Sequence, residues 1–260
     1  MEPSIPSKSK ADSRLQPECE ATAPTRPPAR ILKAKTHGRV NLHGDKKMYI
    51  VQRTLTFARG FLLSYGPMKV KKAVWNSEFS GGKWNFIDDT SSDCVYTHLQ
   101  KYARGGDILD LGCGPGNTAN EVAEHSYRTY IGVDISESAL AKGVKRTNDS
   151  GRAGKNSFVC SDFLSYAPTQ EFDVILFRES MYHVPYGQVL ELLAKYSKHL
   201  KTSGVFIVRL FLGDNRNQKV KYRVKRKTDL IKREFDIVEE HHYDKTGMPI
   251  VLIFRPVREA

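Results

Sequence analysis

The sequence predicts an α/β protein with a doubly wound, mostly parallel sheet, and three observations carry that prediction. The run Asp107 to Asn117, DILDLGCGPGN, is an apolar strand that ends in a carboxylate and enters glycines at alternating positions, Gly112, Gly114 and Gly116. Beyond it, strand-like and helix-like stretches alternate at short intervals, as repeated β-α units do. Two of the strands, in EFDVILFRES and GVFIVRLFL, are continuous apolar runs, which suits strands covered on both faces. Glycine tolerates positive φ and lets a bulky polar group approach the main chain. The turn at 112–116 therefore implies a nucleotide-like ligand.

The elements follow in chain order. Residues 1–47 hold six of the twelve prolines, scattered charges and no sustained apolar period, a composition that cannot offset the entropy of ordering. They are expected to be a disordered basic tail, with residues 48–260 as one folded domain. Glu2, Asp12, Glu18 and Glu20 argue against an amphipathic targeting helix within the tail. From Met48, MYIVQRTLTFARGFLLSYG has apolar residues at helical spacing and stops at Gly66, which predicts a helix. The next segment, AVWNSEFSGGKWNFIDD, joins both tryptophans to a Gly-Gly turn and predicts an ordered loop. Cys94 to Tyr102 reads as a short helix leading into the glycine turn. After it come a strand in RTYIGVDIS, a helix in ESALAKGVKRTNDS, a strand in NSFVCSDF and the apolar strand of EFDVILFRES. Val189, Leu192, Leu193, Tyr196 and Leu200 recur at intervals of three and four, one apolar helical face, with Gly204 expected to end that helix. Two final strand-like runs joined by DKTG predict an antiparallel hairpin.

Composition narrows the function classes. The 260 residues carry a net charge of +12 with 40% apolar side chains, ordinary for a globular core. The charge is uneven: residues 1–47 carry ten Lys/Arg against five Asp/Glu, and residues 214–234 nine against three. The body is nearly neutral, so nucleic acid is a possible partner but not the favoured one. The basic stretch after GVFIVRLFL is polar enough to be a loop and a surface helix, and its run KVKYRVKRK, Lys219 to Lys227, reads as a half-exposed strand or a lysine-rich loop with a solvated face. Cys19, Cys94, Cys113 and Cys160 form no CxxC pair and imply neither disulfides nor a metal site. No apolar run approaches the roughly 20 residues of a membrane span. A cytoplasmic protein of a reducing compartment is expected.

The spacing of the glycines separates two cofactor classes. A dinucleotide turn reads G-x-G-x-x-G, whereas this one reads G-x-G-x-G, with Asn117 at the position of the third glycine. Walker A residues are absent. D-x-G-x-G-x-G after an apolar strand resembles motif I of the class I S-adenosylmethionine-dependent methyltransferases. That resemblance covers roughly residues 48 to 260. It implies a seven-stranded Rossmann-like sheet with the last strand antiparallel and an N-terminal helical lid. It also implies S-adenosylmethionine as cofactor and S-adenosylhomocysteine as product. In that family Asp110 would face the aminoacyl end of the cofactor, usually through water or main chain, with Gly112, Gly114, Gly116 and Asn117 around it. Asp134, 22 residues after Gly112, would hold the ribose diol, since a carboxylate accepts two hydrogen bonds, with Ile135 beside it. Ser136 is better placed than Asp134 to cap the next helix. Asp162 and Phe163 would meet the adenine, although an aspartate there also suits a turn. Arg178 would line the cofactor.

The substrate side is less defined. FRESMYHVP follows strand four, where the family places residues that face methionine and acceptor. His183 is the candidate base because its ordinary pKa lies near neutrality, and Glu179 would attract a cationic amine. Tyr182 is a further polar candidate. Trp84 and Tyr65, with Trp75, fall in the region that forms a lid in this family. No NPPY-like or DPPY-like run is present, which lowers a base-methylating reading. The expected function is methyl transfer to an oxygen or nitrogen of a small molecule. Two alternatives are an RNA or protein methyltransferase guided by the basic segments, and a non-catalytic cofactor-binding subunit. Oligomeric state is not legible.

Overall fold

The computed structural model describes residues 54–55, 57–63, 65–87, 89–212, 218–243 and 249–257. The expected tail over 1–47 and the DKTG turn at 244–247 lie outside the described residues. Residues 57–63 are helical. Six further α-helices follow among the described residues: α1 (Met68–Ser80), α2 (Val95–Ala103), α3 (Asn117–Glu121), α4 (Glu137–Asp149), α5 (Val189–Ser197) and α6 (Gln218–Glu234). The strands are β1 (Gly106–Leu111), β2 (Tyr127–Asp134), β3 (Asn156–Cys160), β4 (Phe172–Arg178), β5 (Leu200–Leu210), β6 (Phe235–His242) and β7 (Ile250–Pro256).

These strands form one sheet in the order β3-β2-β1-β4-β5-β7-β6. All pairs are parallel except those of β7, which runs antiparallel to both β5 and β6. The expected seven-stranded, mostly parallel sheet with its antiparallel hairpin is therefore present. Alternate residues of each strand feed two separate cores, which is why the strands read as continuous apolar runs. On one face Leu109, Leu111, Ile175, Phe177, Phe206 and Val208 pack against α5 and α6. On the other, Ile108, Val174, Leu176, Val205 and Ile207 meet Val95 and Leu99 of α2 and Leu140 of α4. No described helix is long and apolar enough to cross a membrane.

Several boundaries differ from expectation for physical reasons. The tryptophan segment is half helix: α1 carries Trp75 and Phe79, and only the stretch after Ser80 turns. Gly204 does not end α5, which stops at Ser197; it lies inside β5, where a Cβ would come within 2.9 Å of the Phe172 carbonyl oxygen. The basic run is neither strand nor loop but part of the 17-residue α6, whose Val224, Lys227, Thr228, Leu230 and Ile231 are buried. Its apolar residues are few but share one helical face.

β1 lies between β2 and β4, so the winding reverses at β1 and β4 and leaves a crevice at their C-terminal ends. The glycine turn lines it. Gly112 (φ 83°), Gly114 (φ 54°) and Gly116 (φ 69°) all lie in the left-handed region. A Cβ on Gly112 would sit 2.4 Å from the Ser180 Cβ in the loop after β4, and one on Gly116 would sit 2.9 Å from the Phe158 ring. These two glycines answer packing within the protein. Gly114 is the open one.

Gly112→Ala is expected to cost about 2–5 kcal/mol, combining roughly 1–2 kcal/mol for left-handed backbone with about 1–3 kcal/mol for overpacking. Gly151→Ala, also at positive φ (72°) but with nothing within 4 Å, should cost only about 1–2 kcal/mol. Urea unfolding of both variants checks this. Equal losses would show that the Ser180 contact relaxes without penalty.

Candidate functional site

Three carboxylates stand at or just beyond the ends of β1, β2 and β3. Asp110, on β1, is 1% exposed. Its Oδ2 accepts from the Tyr130 hydroxyl at 2.8 Å, while Oδ1 is buried with no partner. Burial pushes its pKa up to about 6, against the opposing pull of the Tyr130 and Thr118 hydroxyls and of Arg178. A buried acceptor without a donor is rare in native proteins, so Oδ1 marks a place where a donor belongs.

Asp134 ends β2 and shapes the glycine turn. Its Oδ2 accepts the Gly114 N–H at 2.9 Å and its Oδ1 the Ser136 N–H at 2.8 Å. Burial raises its pKa, and these backbone donors resist the rise. Each oxygen keeps a second lone pair. Ser136 caps α4, accepting the Ala139 N–H at 3.2 Å, as its position in the sequence suggests. Ile135 lies half-buried between them. Asp162 is half-buried and forms the turn after β3: its Oδ1 accepts the Leu164 N–H at 3.1 Å. Phe163 beside it stands edge-on to Phe177, ring centroids 6.3 Å apart.

Asn117 begins α3. It is 1% exposed, and its side-chain amide donates to the Ile87 carbonyl, Thr90 Oγ1 (3.1 Å) and Glu121 Oε1 (3.3 Å) while accepting from Arg146 at 2.9 Å. These partners absorb the polar capacity of the side chain. Its side chain braces the segment before α2. Glu121, one turn later on α3, completes the brace by accepting from the Thr90 and Tyr96 hydroxyls at 2.5 and 2.9 Å.

At the ends of β4 and β5 a charged quartet forms. Asp93 Oδ2 accepts from Arg178 Nε at 3.0 Å and Nη2 at 2.7 Å, and its Oδ1 lies 3.3 Å from Arg209 Nε. Arg209 also pairs with Glu179. The Asp93 side chain is 4% exposed. Despite the desolvation that would raise it, Arg178 and Arg209 hold its pKa below the usual carboxylate value. Asp93 also accepts the Val95 N–H at 3.0 Å and so starts α2. Arg178, expected to line a cofactor, spends its guanidinium on Asp93 and lies over the Tyr96 ring. Glu179 has φ 56°, a conformation that costs a side chain about 1–3 kcal/mol and clusters at functional sites.

The loop after β4 brings the remaining candidates together. The Tyr182 hydroxyl donates to the Phe211 carbonyl, so it secures the loop and is less free for a substrate than its position suggests. His183 is exposed on one side and stands edge-on to Trp75 on the other, centroids 5.3 Å apart at 84°. Desolvation, then the cations Lys227, Arg59 and Lys71, push its pKa down to about 4, leaving the imidazole neutral at physiological pH. Lys227, read from sequence as part of a solvated face, is 7% exposed. Its ammonium donates to the carbonyls of Met181 (2.8 Å), Tyr182 (3.1 Å) and Val184 (2.7 Å). It fixes the loop that carries His183.

Helix α1 covers the crevice. Asn76 Oδ1 accepts from the Ser136 hydroxyl at 2.9 Å and the Ser138 N–H at 3.2 Å, and Lys72 pairs with Glu137 at 2.6 Å. These bonds hold α1 on the N-terminus of α4. The Phe79 ring then reaches to 3.8 Å from where a Gly114 Cβ would stand. Trp75, Phe79, Trp84 and Phe86 form a chain of rings 5.6–6.2 Å apart. Trp84 Nε1 donates to Glu78 at 3.1 Å. Tyr65 is not part of this cluster: it is 79% exposed with Phe61 as its ring neighbour. Two shallow depressions, lined by Arg128 and Lys201 among others, hold none of these residues.

Comparison with known proteins agrees with this geometry. A family described as a methyltransferase domain matches residues 108–204. The chain is 34% identical over 79 residues to the trans-aconitate 2-methyltransferase of Streptomyces avermitilis, covering 30% of this chain and 29% of that protein. It is 32% identical over 112 residues to thiocyanate methyltransferase 1 of Arabidopsis thaliana, covering 36% and 49%. The matches thus span half or less of these relatives. Among solved structures, the N-methyltransferase NodS of Bradyrhizobium japonicum WM9 with S-adenosyl-l-homocysteine superposes with TM-score 0.55 at 17% identity, covering 72% of this chain and 98% of that one. A DhpI-SAM-HEP complex gives TM-score 0.57 at 14% identity, covering 74% and 99%. At such identities these structures share the fold.

Asp93→Asn removes the charge that both arginines share. Breaking a buried ion pair from one side costs about 3–5 kcal/mol, and thermal or urea unfolding should register a loss of that size. A change below about 1 kcal/mol would mean that Glu179 alone satisfies the arginines.

Proposed function

We propose that the chain, whose residues 108–204 match a methyltransferase domain, is a class I S-adenosylmethionine-dependent methyltransferase that transfers a methyl group from S-adenosylmethionine to an oxygen or nitrogen of a small-molecule acceptor. The observation that carries the reading is the buried, unpartnered Asp110 Oδ1 beside a glycine turn whose open residue, Gly114, is held by Asp134. The residues fit the cofactor. Asp110 would act on its ammonium end through water or main chain, Asp134 keeps lone pairs for its ribose hydroxyls, and Phe163 with the Asp162 turn offers an apolar face and main-chain groups to its adenine. When bound, the sulfonium supplies an electrophilic methyl group.

The chain's own part is alignment and exclusion of water. The aromatic chain from Trp75 to Phe86 roofs the crevice and shields it. The neutral imidazole of His183, on the Lys227-held loop, is placed to accept a hydrogen bond from the acceptor group and so to orient it; with its pKa near 4 it is a weak proton acceptor, which suits acceptors that lose their proton to water. Glu179 presents a carboxylate to a basic acceptor group. The names of the relatives favour small acceptors. The alternative of a polymer acceptor guided by the basic run loses support because α6 turns one face of that run, Lys227 included, into the protein. Turnover of labelled cofactor on small acceptors and on RNA, with the full chain and with residues 1–47 deleted, separates the two: a guiding tail matters only for the polymer.

Asp134→Ala should weaken S-adenosylhomocysteine binding by about 2–4 kcal/mol, given roughly 1.5–3 kcal/mol for each charge-assisted bond and incomplete additivity. Asp134→Asn retains an acceptor for Gly114 and should lose less. Calorimetry showing unchanged affinity in the alanine variant would overturn the cofactor assignment.

Cofactor affinity should also depend on pH through Asp110. With its pKa raised from 3.8 to about 6, the carboxyl takes up a proton in the folded protein between those values. Its contribution to folding is therefore fully present below pH 3.8 and lost as pH rises through 6. Attraction for an ammonium group runs the other way, present above pH 6 and lost below it. Binding measured from pH 5 to 8 should weaken toward the acid end in the wild type, and Asp110→Asn should remove this component of the pH dependence.

A further inference from the structure

A second cluster of chemically capable side chains stands on the far side of α2, independent of the methyl-transfer reading. β6 places Glu239 opposite Ile253 and His241 opposite Val251 on β7, on the sheet face whose core includes Val251, Ile253 and Leu99 of α2. Successive residues of a strand point to opposite faces, so Glu239 and His241 share the face that α2 covers. α2 contributes His98, whose side chain is 6% exposed.

The three groups converge. Glu239 Oε2 lies 2.9 Å from His241 Nε2 and 3.7 Å from His98 Nδ1, and one ligand atom from each residue falls within 4.8 Å of the others. The other nitrogen of His98 is bonded to the Tyr243 hydroxyl, which fixes the ring. That leaves Nδ1, buried and without a hydrogen-bond partner, directed at the carboxylate. Lys101 and Tyr102 both donate to Glu239 Oε1, and so leave Oε2 to the imidazoles.

From this geometry we propose that His98 Nδ1, His241 Nε2 and Glu239 Oε2 form a binding site for a divalent transition-metal ion of the zinc class. Two imidazoles and one carboxylate are a donor set that such ions take with one position left for water. Bonds of 2.0–2.2 Å in tetrahedral geometry put ligand atoms about 3.3 Å apart, so small side-chain shifts close the triangle. Tyr243 is the outer partner that orients a ligating histidine. Lys101 opposes the ion by charge, and its place on Oε1 keeps it off the ligating oxygen. The ion ties α2 to the β6 edge of the sheet. The sequence gives no spacing signal, because His98 and His241 are 143 positions apart.

The full chain, stripped with a chelator, is titrated with CoCl2 and followed by its visible ligand-field bands, then back-titrated with ZnCl2. One equivalent of cobalt should develop tetrahedral bands that zinc abolishes. His241→Ala and Glu239→Gln should each weaken binding by more than about 100-fold, and Tyr243→Phe by about 10–100-fold. His242→Ala, on the opposite face of β6, should leave binding unchanged. Because His241 is 39% exposed, its variant keeps the fold, which circular dichroism verifies. The absence of bands at one equivalent, or bands of wild-type intensity in the His241 variant, would overturn the site.

Discussion

Arg178 and Arg209 are register partners on adjacent parallel strands, so two guanidinium groups leave the sheet at the same level beside the crevice. Like charges placed directly opposite are destabilising, and both are too enclosed for water to screen them. The Asp93 carboxylate, nearly buried, binds both at once. It is also the residue that begins α2. A single side chain therefore sets the start of a helix, neutralises two strand ends and fixes the rim on which Glu179 and the His183 loop stand.

The crevice is bounded by groups that also serve the fold. Asp134 shapes the glycine turn through Gly114, and Asn117 and Glu121 tie that turn's helix to the segment entering α2. Helix α1 is held to α4 by Asn76 and Lys72, which sets Phe79 over Gly114. The result is a site roofed by aromatic rings, floored by main chain and flanked by carboxylates. Among the described residues, Asp110 Oδ1 and Ser180 Oγ are buried there without a hydrogen-bond partner.

Much of this was legible in the chain. The strands and the glycine turn are local patterns: continuous apolar runs, and glycines where the backbone must take positive φ. The acids at 110, 134 and 162 follow from strand ends, which the same runs define. The charged brace was not legible, because Asp93, Arg178 and Arg209 are far apart in sequence and look individually like ordinary surface charges. Asp93 did carry one local sign, a carboxylate two residues before an apolar helix, as a cap requires. Lys227 gave none: amid eight basic neighbours in 214–234 its burial follows only from the face that α6 turns inward. Gly204 misled because glycine marks both helix ends and close backbone approach, and contact with Phe172 decided for the latter.

The sequence by itself determined the fold class, the sheet's hairpin edge and the position of a cofactor turn, since hydrophobic period and glycine placement act over a few residues. Tertiary structure decided which polar groups are spent and which are left over. Asn117 and Tyr182, candidates by position, are consumed by internal hydrogen bonds, while Asp110 Oδ1 and His98 Nδ1 are left buried and unpaired. That distinction rests on desolvation, which depends on every neighbour in space, and no stretch of sequence carries it.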